Sequence, residues 1–331
     1  MRDSFLHLFL VYKKKCAYAL SCSFVGLLLI TNPACADSIL DLFMSRSDEQ
    51  RIGGEEHPKV LKSFGGEYEH DVLTPYVQSL GQFLVQTSET PDAKFTFTIL
   101  NTPLVNAFAL PGGYVYVTRG ILSLASNEAE LAGVLAHEIA HVTARHSAAR
   151  ATNTGIAQLG LLALDLIGGS AMASKVGEIG ALALIQSYSR EDEFEADKLG
   201  VKYLSRAGFD PRGMSTFLQK LQAHSSYESA RLGVARDKGL DFFATHPRTL
   251  ERVDRAIELA GGQETKNPIV AEELYLKKIN GMLYGDALEQ GMDMGDVFVH
   301  PILGFEFSVP TNFVLLNGTD MVVGRSNDGA I

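Results

Sequence analysis

Two histidines spaced four residues apart lie in a strongly apolar stretch, Leu-Ala-Gly-Val-Leu-Ala-His-Glu-Ile-Ala-His, at residues 131–141. Because an α-helix turns once every 3.6 residues, His137 and His141 leave the same face and can reach one ion. The H-E-x-x-H pattern supplies two nitrogen ligands to zinc, and the carboxylate of Glu138 can accept a proton from water bound to the metal. The alternative interpretation is that these residues fell into this order by chance on an ordinary amphipathic helix.

The residues around the pair favour a buried helix. Asn127 and Glu130 have the spacing of a capping box, which predicts that the helix begins there. Most residues from Ala129 to Ala140 are apolar or are good helix formers. The helix is therefore expected to be buried, and buried histidines need polar partners.

A catalytic zinc site has three protein ligands and one open position for water, so a third ligand is expected downstream. The best candidate stretch is Ser-Arg-Glu-Asp-Glu-Phe-Glu-Ala-Asp at residues 189–197. If this stretch is helical, Glu193 and Asp197 share a face. Glu193 can then bind zinc while Asp197 accepts the second ring N–H of a ligating histidine. The alternative is a solvated acidic helix start, which is the expected role of Glu191, Asp192 and Glu195.

These motifs resemble the HtpX, BepA and Oma-type zinc metallopeptidase family, whose members are gluzincins, and in particular its periplasmic BepA-like branch. The resemblance covers residues 40–260. It is carried by four stretches: Asn-Ala-Phe-Ala-Leu-Pro-Gly-Gly at 106–113, His-Glu-x-x-His at 137–141, Ser-Arg-x-x-Glu-x-x-Ala-Asp with a following glycine at 189–200, and Thr-His-Pro-x-Thr-x-x-Arg at 245–252.

The resemblance also distinguishes between the two candidate third ligands. Glu193 matches the family motif better than Glu195, because only Glu193 lies three residues before Ala196. The family pattern implies one zinc ion per chain with His137, His141 and Glu193 as ligands, Glu138 as general base, and Asp197 as partner of a ligating histidine.

His246 is the remaining histidine whose surroundings suggest a site. Pro247 restricts His246 to extended backbone and suits the first position of a helix, so a helix is expected from Pro247 to Ala260. Three roles for the ring stay open. It can stabilise the oxyanion of the transition state, a role for which a tyrosine is the alternative. It can be a fourth zinc ligand that displaces the catalytic water, or it can be a structural helix cap.

The first 36 residues have the organisation of a signal peptide. Arg2 and the lysines at 13–15 form a positive start, residues 16–30 are apolar, and Ala-Cys-Ala at 34–36 provides the small residues of a cleavage site. We expect cleavage after Ala36 and export to the periplasm. An uncleaved anchor and association with the membrane are the alternatives.

Cysteine usage and charge narrow the classes of function. All three cysteines lie before residue 37, so the mature chain is expected to hold neither a disulfide nor a thiolate zinc site. The formal net charge of −10 argues against non-specific nucleic-acid binding.

Helical spacing of apolar residues predicts two core-facing stripes: Tyr76, Leu80, Phe83 and Leu84, and Met214, Phe217, Leu218 and Leu221.

A small sheet is expected before the histidine helix. Phe95, Phe97 and Ile99 alternate with polar residues and predict a half-buried strand. Residues 108–110 and 114–118 predict a hairpin whose turn is Pro-Gly-Gly at 111–113. In metallopeptidases of this kind, a strand beside the metal helix commonly pairs with extended substrate. We give that role to the segment around 106–110, with simple completion of the sheet as the alternative.

The interval between His141 and Glu193 contains an insertion rich in leucine, alanine and glycine at residues 155–185. Its uncharged runs are shorter than the ~20 residues that a membrane-crossing helix needs, which favours a buried helical pair. In the resembling HtpX branch this interval carries membrane spans. A lid over the cleft or a hairpin that contacts the membrane therefore stays open.

The sequence predicts an α+β fold class with three parts. A signal peptide at 1–36 is followed by a mainly helical zincin-type metallopeptidase domain with a small β-sheet at 37–265. Residues 266–331 are expected to form one helix and the start of an incomplete β-rich domain, because short apolar runs alternate there with turn residues.

The family resemblance implies zinc-dependent hydrolysis of peptide bonds in polypeptide substrates, which would be misfolded or envelope proteins. Outer-membrane or envelope assembly proteins are the implied partners. Two rivals stay open. One is a zinc-stabilised periplasmic chaperone or assembly factor with repressed proteolysis, and the other is a membrane-bound peptidase.

Overall fold

A computed structural model describes residues 44–150, 187–232, 245–246, 250–263, 265–311, 313–318 and 321–326. The predicted signal peptide and the insertion at 155–185 lie outside these residues. All contacts discussed below belong to a unit that extends from Glu49 to Ile331. The described helices, numbered in chain order, are α1 (Arg46–Ser63), α2 (Leu73–Val85), α3 (Arg119–Leu124), α4 (Glu128–Thr143), α5 (Arg190–Arg206), α6 (Arg212–Leu232), α7 (Leu250–Gly261) and α8 (Glu272–Ile279).

The strands form one mixed sheet before α4 and two small sheets near the end of the chain. β1 and β3 are parallel, and β2 is antiparallel to β3, which gives the order β1-β3-β2. Further along, the strands are ordered β4-β5-β6 and β7-β8. This arrangement confirms the predicted α+β class with a small sheet and a β-rich C-terminal region. The strands are β1 (Thr96–Leu100), β2 (Ala107–Leu110), β3 (Tyr114–Thr118), β4 (Met292–Asp293), β5 (Val297–His300), β6 (Phe305–Ser308), β7 (Phe313–Asn317) and β8 (Val322–Ser326).

The β2–β3 hairpin confirms the sequence prediction, and its turn explains the two glycines. Gly112 and Gly113 have φ values of +81° and +87°, a region that residues with a Cβ rarely adopt. A Cβ on Gly113 would also lie 2.2 Å from the carbonyl oxygen of Lys94. The turn therefore brings the hairpin against the start of β1, where residues 96–100 pair with residues 114–118.

Helix α4 is the central element of the core. The side chain of Asn127 accepts a hydrogen bond from the backbone N–H of Glu130 and caps the helix, as predicted. The carboxylate of Glu130 reaches one residue further back than a capping box requires, because it accepts from Ser126. Helix α4 packs against α2, α5, α6, β2 and β3, so its apolar residues are covered on all sides.

Helices α5 and α6 pack on α4, and α5 begins at a well-defined cap. Ser189 and Asp192 form a capping box at the start of α5, with two hydrogen bonds of 3.1 Å. Helix α5 approaches α4 closely at Gly200, where an added Cβ would lie 3.2 Å from the backbone nitrogen of His137. The apolar stripe of α6 is buried as expected. The prediction that the α2 stripe faces the core was wrong at Phe83. This side chain is 47% exposed and makes a T-shaped ring contact with Phe209.

The C-terminal region joins the core through α8 and the segment after it. Tyr275 of α8 is fully buried, and its hydroxyl donates to the carbonyl oxygen of Leu122. Arg119 donates to the carbonyl oxygens of Leu283 and Gly285 at 2.8 Å each. The division of the chain between residues 265 and 266 stays a prediction. Within the described residues, no helix has the length and apolar character required to cross a membrane.

The close contact at Gly200 generates a stability prediction. Gly200→Val should destabilise the fold by about 1–3 kcal/mol, because a branched side chain must displace α4 or the Met214 side chain, whose Cε would lie 2.7 Å from the added Cβ. The expected decrease in Tm is about 3–10 °C by circular dichroism. Gly261→Ala is the matched control, because a Cβ there has no neighbour within 4 Å. Equal melting temperatures for the two variants would contradict the packing argument.

Candidate metal centre

Four buried side chains converge at the interface of α4, α5 and the segment before α7. One ligand atom from each of His137, His141, Glu193 and His246 lies within 4.8 Å of the other three. The Nε2 atoms of His137 and His141 are 3.0 Å apart, and Nδ1 of His246 is 3.2 Å from Nε2 of His137. The helical spacing therefore places both α4 histidines at one point, as the sequence predicts.

Helix α5 supplies the carboxylate of this cluster. Oε1 of Glu193 lies 2.9 Å from Nδ1 of His246 and 3.4 Å from Nε2 of His141. Glu193 is fully buried, whereas the side chain of Glu195 is 61% exposed. The structure thus brings Glu193, and not Glu195, to His137, His141 and His246.

Asp197 and Arg252 contact the side chains of the cluster on the side away from the shared ligand atoms. Oδ1 of Asp197 lies 3.0 Å from Nδ1 of His137, the ring nitrogen that points away from the cluster. Arg252 donates two hydrogen bonds of 2.8 Å to the two oxygens of Asp197 and also forms an ion pair with Glu193. Arg252 belongs to the motif at 245–252, but the sequence analysis assigned no role to this residue. Its contact with Asp197 spans 55 residues of chain.

His146 and Tyr188 were missed by the sequence analysis. Nδ1 of His146 is 2.9 Å from Nδ1 of His141, and the ring of Tyr188 stacks on His141 at a centroid distance of 3.8 Å. His146 follows His141 by five positions, a spacing that does not put two side chains on one helix face. No helical pattern could therefore have marked His146.

Glu138 lies beside the cluster, next to His137 on α4. It is fully buried, and neither of its carboxylate oxygens has a hydrogen-bond partner within the described part of the chain. Nε2 of His246 lies 3.4 Å from Oε1 of Glu138. A buried carboxylate with both oxygens available can bind a water molecule or a substrate N–H beside the cluster.

The pKa values of these groups reflect both burial and their neighbours. Burial alone lowers the pKa of His137, but hydrogen bonds with Asp197 and Glu193 outweigh it and raise the pKa to about 9. For His141 burial dominates, and the pKa lies well below its ordinary value. Burial raises the pKa of Glu193, but His246 and Arg252 outweigh that effect and hold the pKa well below its usual range. Burial raises the pKa of Glu138, toward the range that suits a general base at neutral pH.

Comparison with known proteins identifies similar sequences. The sequence model of peptidase family M48 matches residues 72–260 of this chain. The beta-barrel assembly-enhancing protease of Escherichia coli (strain K12) is 32% identical over 257 residues, which cover 73% of this chain and 51% of that protein. The same-named protein of Yersinia pestis is 33% identical over 253 residues, which cover 72% of this chain and 50% of that protein.

A mitochondrial protein is also similar to this chain. The mitochondrial metalloendopeptidase OMA1 of Schizosaccharomyces pombe is 33% identical over 216 residues, which cover 63% of this chain and 60% of that protein. The chain spans about half the length of the bacterial relatives.

Metal uptake by this site is expected to release a proton from His137. Below pH 9 the metal-free ring is protonated, because its pKa is raised to about 9, whereas a ligating imidazole must be neutral. Metal affinity should therefore increase with pH up to about 9 and then level off. Isothermal titration calorimetry at pH 7.5, in two buffers with different ionisation enthalpies, should measure about one proton released per metal ion.

Asp197→Asn provides the control for this measurement. The substitution removes a charge that raises the pKa of His137, so fewer protons should be released at the same pH. Identical proton release in the wild type and in Asp197→Asn would show that His137 is not the source.

Proposed function

This chain belongs to peptidase family M48, and from that membership we propose that it is a zinc-dependent endopeptidase that binds one zinc ion through His137, His141 and Glu193. The relatives whose names identify them as proteases or metalloendopeptidases support hydrolysis of peptide bonds. A zinc-stabilised chaperone with repressed proteolysis is less favoured, because the family and the names of these relatives both indicate an enzyme.

The spacing of the ligand atoms is the observation that carries the choice of zinc. With bonds of about 2.0–2.1 Å, the ligand atoms around a tetrahedral zinc ion are about 3.3 Å apart. Four of the distances among the ring nitrogens and the carboxylate of the cluster are 2.9, 3.0, 3.2 and 3.4 Å, and all the ligand atoms lie within 4.8 Å of one another. A set of histidine and glutamate ligands without cysteine also matches catalytic rather than structural zinc sites.

The side chains around the cluster fit a hydrolytic mechanism. Zinc, when bound, lowers the pKa of a water molecule and polarises the carbonyl of the scissile bond. Glu138 takes the proton from the attacking water at its buried carboxylate and returns it to the nitrogen of the leaving amine. Oδ1 of Asp197, 3.0 Å from Nδ1 of His137, orients that ring with Nε2 toward the cluster, where it is available as a ligand. Arg252 keeps Glu193 and Asp197 ionised.

Extended polypeptide is the proposed substrate. Strand β2 pairs with β3 along one edge, and among the described strands none pairs with its other edge. Helix α4, which carries the zinc ligands, packs against β2. We therefore propose that an unfolded segment of substrate adds to β2 through backbone hydrogen bonds and passes Glu138.

The cellular setting is proposed from the leader and from the relatives. The leader at 1–36 supports export to the periplasm, and the name of the bacterial relatives refers to assembly of β-barrel proteins. Envelope or outer-membrane assembly proteins are thus the proposed partners, and misfolded envelope proteins are the proposed substrates. Residues 155–185, for which membrane contact is one of the alternatives, lie outside the described residues.

Glu138→Gln tests the proposed activity. The amide cannot act as a base, so cleavage of an unfolded protein such as denatured casein should decrease by about 100-fold or more. Zinc content measured by atomic emission should remain that of the wild type, because both histidines are retained. Normal zinc content with undiminished cleavage would remove Glu138 from this role.

A matched pair of variants tests the third ligand. Glu193→Ala should lose zinc, whereas Glu195→Ala should keep it, since Glu193 is buried in the cluster and Glu195 is exposed. Retention of zinc by Glu193→Ala together with its loss in Glu195→Ala would reverse the assignment.

The geometry favours the fourth-ligand role among the three that were open for His246. Its ring is fully buried, and Nδ1 lies within 3.2 Å of both Glu193 and His137. A helix cap needs no such contact. We propose that His246 occupies the open zinc position and keeps the peptidase closed until the segment before α7 moves.

His246→Ala separates the three roles by the direction of its effect. Cleavage of casein should increase if the side chain occupies the position that water needs, and this is the expected result. A decrease of about 100-fold would instead assign the ring to the oxyanion. Activity within about twofold of the wild type, with zinc retained, would leave only the structural role.

A further inference from the structure

The two histidines of α4 are each contacted at Nδ1, the ring nitrogen that faces away from the cluster. The partner of His137 is the carboxylate of Asp197 at 3.0 Å. The partner of His141 is a third histidine, because Nδ1 of His146 lies 2.9 Å from Nδ1 of His141. His146 is only 4% exposed, and it belongs to none of the motifs that carry the family resemblance.

The positions of the hydrogens follow from this geometry. Two ring nitrogens at 2.9 Å form a hydrogen bond only if one of them carries the hydrogen. When Nε2 of His141 faces the cluster as a ligand, the hydrogen of that ring is on Nδ1. His146 must then accept at Nδ1 and carry its own hydrogen on Nε2.

The surroundings of His146 agree with this assignment. Its Nε2 faces two carboxylates, with Oε2 of Glu195 at 3.5 Å and Oδ1 of Asp192 at 3.8 Å. These contacts are long for hydrogen bonds, but both groups favour an N–H at this nitrogen. Tyr188 stacks on His141 and restricts the plane of the ring, yet stacking does not decide which nitrogen carries the hydrogen. The contact with His146, together with the ligand role of Nε2 of His141, places the hydrogen on Nδ1 of His141.

A sharp turn after α4 makes the contact possible. If the helix continued through residue 146, the imidazole would point about 140° around the axis from His141. Instead, α4 ends at Thr143, and Arg145 adopts a left-handed φ of +59°. The guanidinium of Arg145 is buried against Glu49 of α1, with contacts of 2.7 Å from Nε and 2.6 Å from Nη2. This ion pair holds the turn that directs His146 back toward His141.

We propose that His146 is a positioning residue for the metal site, which accepts the Nδ1 hydrogen of His141 and so keeps the Nε2 lone pair of His141 directed at the metal. The proposal rests on the zinc site of the proposed function. Its effect is on the affinity for zinc, and it requires no contact between His146 and the substrate.

Two substitutions at position 146 test the hydrogen bond separately from the packing. His146→Phe keeps a ring but has no acceptor, so the Kd for zinc, measured by competition with a chelator, should increase by about 10- to 100-fold. His146→Asn places an oxygen near the position of Nδ1 and should keep the Kd within about threefold of the wild type. His57→Ala is the control. It loses a hydrogen bond of 2.7 Å to Tyr116 outside the cluster and should leave the Kd unchanged.

The outcomes distinguish this proposal from the zinc site itself. Wild-type affinity in a folded His146→Phe variant would overturn the positioning role, and so would equal weakening in the phenylalanine and asparagine variants. Failure of the wild-type chain to bind zinc would instead overturn the proposed function.

A second measurement needs no variant, which matters if His146→Phe does not fold. Long-range ¹H–¹⁵N NMR on the zinc-loaded wild type, labelled at histidine, reports the tautomer of each ring. We expect a hydrogen on Nδ1 of His141 and on Nε2 of His146. A hydrogen on Nδ1 of His146 would overturn the proposal.

Discussion

The buried ion pairs of Arg252 are the interaction on which the rest of the site depends. Eight ionisable side chains meet in this interior and each is at most 4% exposed, so their charges cannot be solvated by water. Arg252 offsets this cost by pairing with the two buried carboxylates of α5, Glu193 and Asp197. Removal of one partner from such a group typically costs about 3–5 kcal/mol, because a charge is left buried and unpaired. The eight residues are His137, Glu138, His141, His146, Glu193, Asp197, His246 and Arg252.

The helices that carry these groups are held together by ordinary packing. Gly200 lets α5 approach the backbone of α4 at His137, so the carboxylates of α5 meet the histidines at hydrogen-bond distance. Such proximity has a local cost, and the left-handed backbone of Arg145 is one example, at about 1–3 kcal/mol. The buried contact with Glu49 offsets that strain. Electrostatics and packing therefore constrain the same few positions.

The four proposed ligands have two kinds of structural support. His137, His141 and Glu193 lie on helices within the core and have partners at their remaining polar atoms. His246 lies in a segment before α7, outside the regular helices that hold the others. Release of His246, if it binds the metal as proposed, would therefore not require α4 or α5 to unfold.

The sequence by itself determined the parts of this protein that depend on local periodicity and local caps. The spacing of His137 and His141, the cap at Asn127 and the glycine turn of the hairpin are each decided within a few residues, so the pattern was sufficient. The choice of Glu193 over Glu195 needed the family motif as well.

Tertiary structure alone decided the contacts of Arg252 and His146. The first joins Arg252 to Asp197, 55 positions away in the chain. The second depends on a turn at Arg145 that breaks the helical period and is held by a residue of α1. Neither long-range pairing nor a left-handed arginine leaves a periodic signal in the sequence, because both depend on what the rest of the core places beside them.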